Sequence, residues 1–124
     1  MKEIFAVDFD GTLCEHKYPE IGSPNVSLIE ALKKLRNDGA RLILWTCRSG
    51  VDLTRAINWC SNCYGLEFDA VNDDIESVKL SDFGRSKSRK VFANFYIDDR
   101  NILPEHFVMM ASIPTPTKSK EEAK

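Results

Sequence analysis

The chain has 124 residues, of which 43% are hydrophobic, enough for one compact core and too few for two independent ones. Its net charge of −2 and isoelectric point of about 5.7 give no electrostatic basis for general nucleic-acid or membrane affinity. No apolar run approaches the roughly 18 residues of a membrane span.

Residues 4–7 (Ile-Phe-Ala-Val) predict a short buried strand that stops at an Asp-rich turn. Asp8 interrupts this run, which is too short for the apolar region of a secretory signal, so a cytoplasmic location is expected. A loop follows from Cys14 to Ser23, with Pro19, Gly22 and Pro24 in or beside it. Val26, Ile29, Leu32 and Leu35, spaced by three, predict a helix that Ser23 or Asn25 can cap and Gly39 ends. Leu42–Thr46 is the second strand, running into Thr46, Cys47, Arg48 and Ser49. A helix from Val51 to Tyr64 sets Leu53, Ala56, Ile57, Cys60 and Tyr64 on one face, with Gly65 as its stop.

A third strand is expected at Glu67–Val71, then a polar, poorly periodic stretch over 72–90, then a fourth strand at Val91–Ile97 that meets Asp98 and Asp99. Strands alternating with helices predict an α/β fold: a Rossmann-like three-layer sandwich around a mostly parallel sheet. The tail, 114–124, has little to bury and is expected to be disordered. Cys14, Cys47, Cys60 and Cys63 sit in or beside apolar segments, as reduced and buried cysteines do. Cys60 and Cys63 form a CxxC, but no second pair follows, and the segment reads as a helix end rather than a zinc or redox site.

Three of the four strands end in reactive polar residues: Asp8 and Asp10, Thr46, and Asp98 and Asp99. In a parallel sheet those carboxyl ends share one edge, where open α/β folds build their sites. Asp8-Phe9-Asp10-Gly11-Thr12 puts two carboxylates on one turn, with Gly11 free to bend without a Cβ. A calcium loop also begins D-x-D, but needs Gly at its sixth position and Glu at its twelfth; Leu13 and Pro19 stand there.

Asp8-Phe9-Asp10-Gly11-Thr12, Thr46, a downstream Lys and Asp98-Asp99 resemble the four motifs of the haloacid dehalogenase-like hydrolases. The resemblance covers roughly residues 1–103 and implies a hydrolase core over 1–113. It implies a magnesium-dependent phosphohydrolase in which Asp8 attacks phosphorus and becomes an aspartyl-phosphate. Asp10 then protonates the leaving group and afterwards activates water. Asp8, the carbonyl of Asp10 and Asp99 would hold Mg2+, and Asp98 a water bound to it.

The physics is consistent with those roles. A carboxylate about 4 Å from a phosphate charge is repelled by about 4 kcal/mol per unit pair at an effective dielectric near 20. A magnesium ion offsets that repulsion and orients the phosphoryl oxygens. Thr46, with Cys47, Arg48 and Lys90, is expected to contact the phosphorylated substrate. Lys90 lies just before the last strand and is favoured as the catalytic lysine, with Lys79 and Lys87 as rivals. Arg48 either binds substrate or pairs with an acid.

Many haloacid dehalogenase-like enzymes carry a cap domain after the first motif or between the second and third. About ten residues, Cys14 to Ser23, follow the first motif here, so the chain reads as capless. An open site suits a bulky phosphorylated substrate, or a second copy of the chain covering it; His16, Lys17 and Tyr18 lie near its mouth. A phosphotransferase using the same intermediate and a non-catalytic phosphate-binding protein are the alternatives.

Overall fold

The computed structural model describes residues 2–79 and 88–111. Lys87 and the tail 114–124 lie outside the described residues. The first strand, β1 (Ile4–Val7), is apolar at every position and buried along its whole length. It is paired in parallel with β4 (Arg41–Leu44) on one side and β6 (Phe95–Ile97) on the other. A short strand, β5 (Ala70–Val71), pairs in parallel with β4, so the order is β5-β4-β1-β6. All described pairs in this sheet are parallel, and the fold is α/β.

Alternation along β1 divides the core between the sheet's two faces. Phe5 and Val7 join Leu42 and Leu44 against Ile29 and Leu32 of α1 (Val26–Asn37) and Ala56 of α2 (Gly50–Asn58). Ile4, Ala6 and Ile43 face Ile75, Val91, Ala93 and Val78 of α3 (Glu76–Lys79). Asn25 caps α1: its Oδ1 accepts from the Leu28 N–H at 3.2 Å, while its Nδ2 donates to the Thr12 carbonyl at 3.2 Å. The helix start is thereby tied to the Asp-rich turn. Val26 is exposed, contrary to its expected place in the apolar stripe, because it precedes the first turn that meets the sheet.

Three predicted strands are shorter in the structure: Leu42–Thr46 is a strand over Arg41–Leu44, and side chains explain the other two. At Leu42 the partner that would extend β5 is the Asp69 carboxylate, which accepts the Leu42 N–H at 2.8 Å. At Ile4 the Asn94 Oδ1 accepts the backbone N–H at 2.7 Å, so the ladder to β6 starts only at Phe95. The helix expected over Val51–Tyr64 is α-helical to Asn58 and then widens into a π-helical turn, Trp59–Cys63, closed by Gly65 at φ 66°.

The expected loop Cys14–Ser23 is instead a hairpin. Its strands β2 (Cys14–Lys17) and β3 (Glu20–Pro24) are antiparallel, with an irregularity between Cys14 and His16. Three of the four β2 residues are exposed, so no apolar alternation announces the strand. The last described helix, α4 (Pro104–Ala111), was also outside the sequence reading. Of the cysteines, Cys14 and Cys60 are buried, but Cys47 and Cys63 are exposed: Cys47 lies past the end of β4, and Cys63 lies off the face that carries Cys60 and Tyr64. Burial pushes the Cys60 thiol up to about 12, which leaves it unreactive. Among the described residues no helix is long and apolar enough to cross a membrane.

Asp69 ties α1 to β4. It accepts from Arg36 Nη2 at 2.9 Å and Nε at 3.2 Å as well as from Leu42. Burial pushes its carboxyl up, but the Arg36 fork and the Leu42 N–H outweigh that and hold it below the usual range. Asp69→Asn is expected to lower stability by about 2 kcal/mol at pH 7. A depressed carboxylate contributes above its unfolded value and loses that contribution as pH falls through its folded value. Urea unfolding of the two proteins should therefore differ at pH 7 and converge as pH falls below the usual carboxylate range; a pH-independent gap would assign the effect to packing.

Candidate active site

A cavity of about 370 Å³ opens at the carboxyl ends of β1 and β4, lined by Asp8, Asp10, His16, Tyr18, Thr46, Cys47, Arg48 and Arg100. Its volume is in the range of small-ligand pockets. The turn after β1 is held by the Phe9 carbonyl, which accepts from Leu13 at 2.9 Å and Thr12 at 3.1 Å. Asp8 itself is fixed to the neighbouring strand by its N–H, which donates to the Ile97 carbonyl at 2.9 Å.

Burial raises the Asp8 carboxyl above its ordinary value. The Phe9 N–H opposes that rise, and the negative charges of Asp99, Asp98 and Asp10 add to it. Gly11, at φ 84°, lets Asp99 settle against the turn: a Cβ there would lie 2.8 Å from Asp99 Cγ and closer still to Oδ2. Asp98 faces its own loop, where Oδ1 accepts from Arg100 N and Oδ2 from Asn101 Nδ2, both at 2.8 Å. The two adjacent acids thus have different tasks: Asp98 shapes the turn, and Asp99 leans over Gly11.

Among the described residues no group of three or more His, Cys, Asp or Glu side chains is arranged to hold a metal ion by itself. Magnesium does not need such a group, since it binds through one or two carboxylates, keeps several waters and shares phosphate oxygens. The donors here are all oxygens, and of the acids that raise Asp8, Asp10 is paired with Arg48. The oxygens the resemblance implies as ligands, the Asp8 and Asp99 carboxylates and the Asp10 carbonyl, are of the type magnesium takes.

Thr46 is held at both ends. Its N–H donates to Asn72 Oδ1 at 2.8 Å, and its Oγ1 accepts from the Arg48 N–H at 3.1 Å. With its oxygen used as an acceptor, the hydroxyl proton is available to a ligand oxygen in the cavity. Asn72, at φ 51°, ends β5 at the same edge and escaped the sequence reading. Its position one residue after Val71 was the available signal. Arg100 was missed as well, although it directly follows the acidic pair.

Arg48 pairs with an acid and is nearly inaccessible, with 1% of its side chain exposed. Its Nε donates to Asp10 Oδ2 and its Nη2 to Asp10 Oδ1, each at 2.8 Å. That hydrogen bonding holds the guanidinium above its ordinary value against the opposing effect of burial. Lys90 is exposed, its ammonium 5.1 Å from the centre of the Tyr96 ring, and it does not line the cavity. Lys79 is paired with Asp73 at 2.7 Å. Lys17 is exposed on β2, opposite Glu20.

A solved structure of a conserved protein from Bacteroides thetaiotaomicron is similar to this chain, with 40% of residues identical and a TM-score of 0.70. The alignment covers 100% of this chain and 94% of that one. No family model matches the chain, and no curated protein matches it.

Proposed function

From the premise that the chain belongs to the same family as the conserved Bacteroides thetaiotaomicron protein, we propose that it is a magnesium-dependent phosphohydrolase acting through an aspartyl-phosphate on Asp8. The observation that carries this reading is the convergence of Asp8, Asp10, Thr46 and Arg48 on one cavity at the carboxyl ends of parallel strands. The motifs that resemble the haloacid dehalogenase-like hydrolases support it. So does the place of β1 between β4 and β6, which suits a Rossmann-like, haloacid dehalogenase-like core.

An Asp8 oxygen attacks phosphorus, and the bond from phosphorus to the leaving oxygen breaks. Asp10 enters this step protonated, on a lone-pair site the Arg48 fork leaves free, and gives that proton to the leaving oxygen, so a neutral alcohol departs. Asp10, now a carboxylate, takes a proton from water as the water oxygen attacks phosphorus; the bond to Asp8 breaks and inorganic phosphate leaves. Thr46 donates its hydroxyl proton to a phosphoryl oxygen and holds it in line. Magnesium, when bound by Asp8, Asp99 and the Asp10 carbonyl, would neutralise the approaching anions.

Hydrolysis of p-nitrophenyl phosphate tests this directly. Turnover should require magnesium and fall at least about 100-fold on chelation, as expected for a cation worth several kcal/mol in the transition state. Magnesium should also raise the melting temperature by several degrees, since it binds only the folded chain. No magnesium-dependent turnover on a broad panel of phosphate monoesters, with no thermal shift, would overturn the proposal.

A further inference from the structure

The Arg48 guanidinium is tied to more of the protein than Asp10 alone. Its Nη2 also donates to the Glu20 carbonyl in β3 at 3.1 Å, and its Nη1 to the Asp52 carbonyl in α2 at 3.3 Å. Its carbon lies 5.0 Å from the centre of the Phe9 ring and 5.0 Å from that of Tyr18. Tyr18 sits between β2 and β3, and its hydroxyl donates to Asp52 Oδ2 at 3.2 Å. Arg55 of α2 approaches Glu20 at 3.7 Å. One side chain therefore connects the turn after β1, the hairpin and α2.

We propose that Arg48 is a positioning residue, which aims the Asp10 carboxylate and makes that aim depend on how the β2–β3 hairpin sits on α2. The inference rests on the phosphohydrolase reading, in which Asp10 handles the proton. A planar fork with two bonds of 2.8 Å fixes both the place and the plane of the carboxylate. A carboxylate has about four lone-pair sites, so the fork leaves others facing the cavity. The fork's remaining donors hold the guanidinium to the hairpin and to α2, so a hairpin displaced from α2 carries the fork with it. His16 and Tyr18 line the same cavity, and a substrate touching them presses on the element that aims the proton donor.

A positioning role has a signature that a structural role lacks. Badly aimed acids lose most on poor leaving groups, which need the proton, and least on good ones. The experiment is kcat/KM over a series of ring-substituted phenyl phosphates, similar in shape and different in leaving-group basicity. The variants are Arg48→Lys and Asp52→Ala, the second lying outside the cavity and removing the carboxylate that seats Tyr18 and pairs at 3.6 Å with Arg55, the arginine that approaches Glu20 of the hairpin. Arg48→Lys should lower kcat/KM about 10-fold on p-nitrophenyl phosphate and about 100-fold on phenyl phosphate. Asp52→Ala should change the series in the same sense, about threefold and about tenfold.

A uniform loss across the series, or a loss confined to KM, would overturn the positioning role while leaving the phosphohydrolase reading intact. An Asp52→Ala series parallel to wild type would overturn the link to the hairpin even if Arg48→Lys did not fold. A wild type that turned over none of these esters would remove both readings together.

Discussion

Asp8→Asn is expected to abolish magnesium-dependent turnover, by about 10^4-fold or more, and to make the metal-free protein more stable. The first effect follows because an amide cannot form the aspartyl-phosphate, and the loss of a nucleophile removes the whole covalent route. The second follows from the electrostatics of the apo site. Burial raises the Asp8 carboxyl, and Asp99, Asp98 and Asp10 add to that. A carboxyl raised on folding favours the folded state below its unfolded value and weakens it as pH rises through the folded one. At pH 7 the ionised group therefore burdens the fold, and Asn lifts the burden without changing shape. The melting temperature of Asp8→Asn should exceed that of wild type at pH 7, and the difference should disappear below about pH 4. Added magnesium should reverse the order, since it stabilises the protein that keeps its ligand. A destabilised Asp8→Asn at pH 7 in chelator would show that Asp8 serves the fold; full activity would remove it as nucleophile.

The parts of this structure that are legible in sequence are those where burial alone decides the residue. Strand β1 matches its apolar run residue for residue, because a parallel strand covered on both faces has no polar side to interrupt it. The edge that gathers Asp8, Asp10 and Thr46 follows from the same rule, since parallel strands end together. Legibility fails where a side chain substitutes for backbone. Asp69 and Asn94 each take a position in the hydrogen-bond ladder that a strand residue would occupy, and composition gives no sign of it.

The hairpin is illegible for a different reason. Its β2 strand faces water, and its contacts come from Arg48, Asp52 and Arg55, far along the chain. The two roles open to Arg48 in sequence, a substrate ligand or a partner of an acid, separate only in three dimensions. A guanidinium with 1% of its side chain exposed and a two-bond fork to Asp10 is held for that carboxylate. Lys90 illustrates the converse. Proximity to the last strand suggested reach into the site, whereas its ammonium rests over Tyr96.

Gly11→Ala is the second substitution expected to have a large effect, and it isolates the contribution of Asp99. Two things oppose a Cβ at this position. The backbone is at φ 84°, where an L side chain costs about 1–2 kcal/mol. In addition, the new carbon would meet the Asp99 carboxylate, with Cγ only 2.8 Å away. Relief requires Asp99 to swing away or the turn carrying Asp8 and Asp10 to shift, and either movement separates the oxygen donors. Turnover should fall about 100-fold or more at fixed magnesium, as displacements near 1 Å do in positioned sites. The magnesium concentration for half-maximal rate should rise at least about 10-fold, by analogy with the loss of a supporting ligand. Gly50→Ala supplies the control for backbone strain. Gly50 also has positive φ, at 57°, but a Cβ there meets nothing within 4 Å. It should lose about 1 kcal/mol of stability and keep the wild-type magnesium dependence. If Gly11→Ala loses stability but retains that dependence too, Asp99 does not serve the metal, and the acidic pair after β6 is a structural turn.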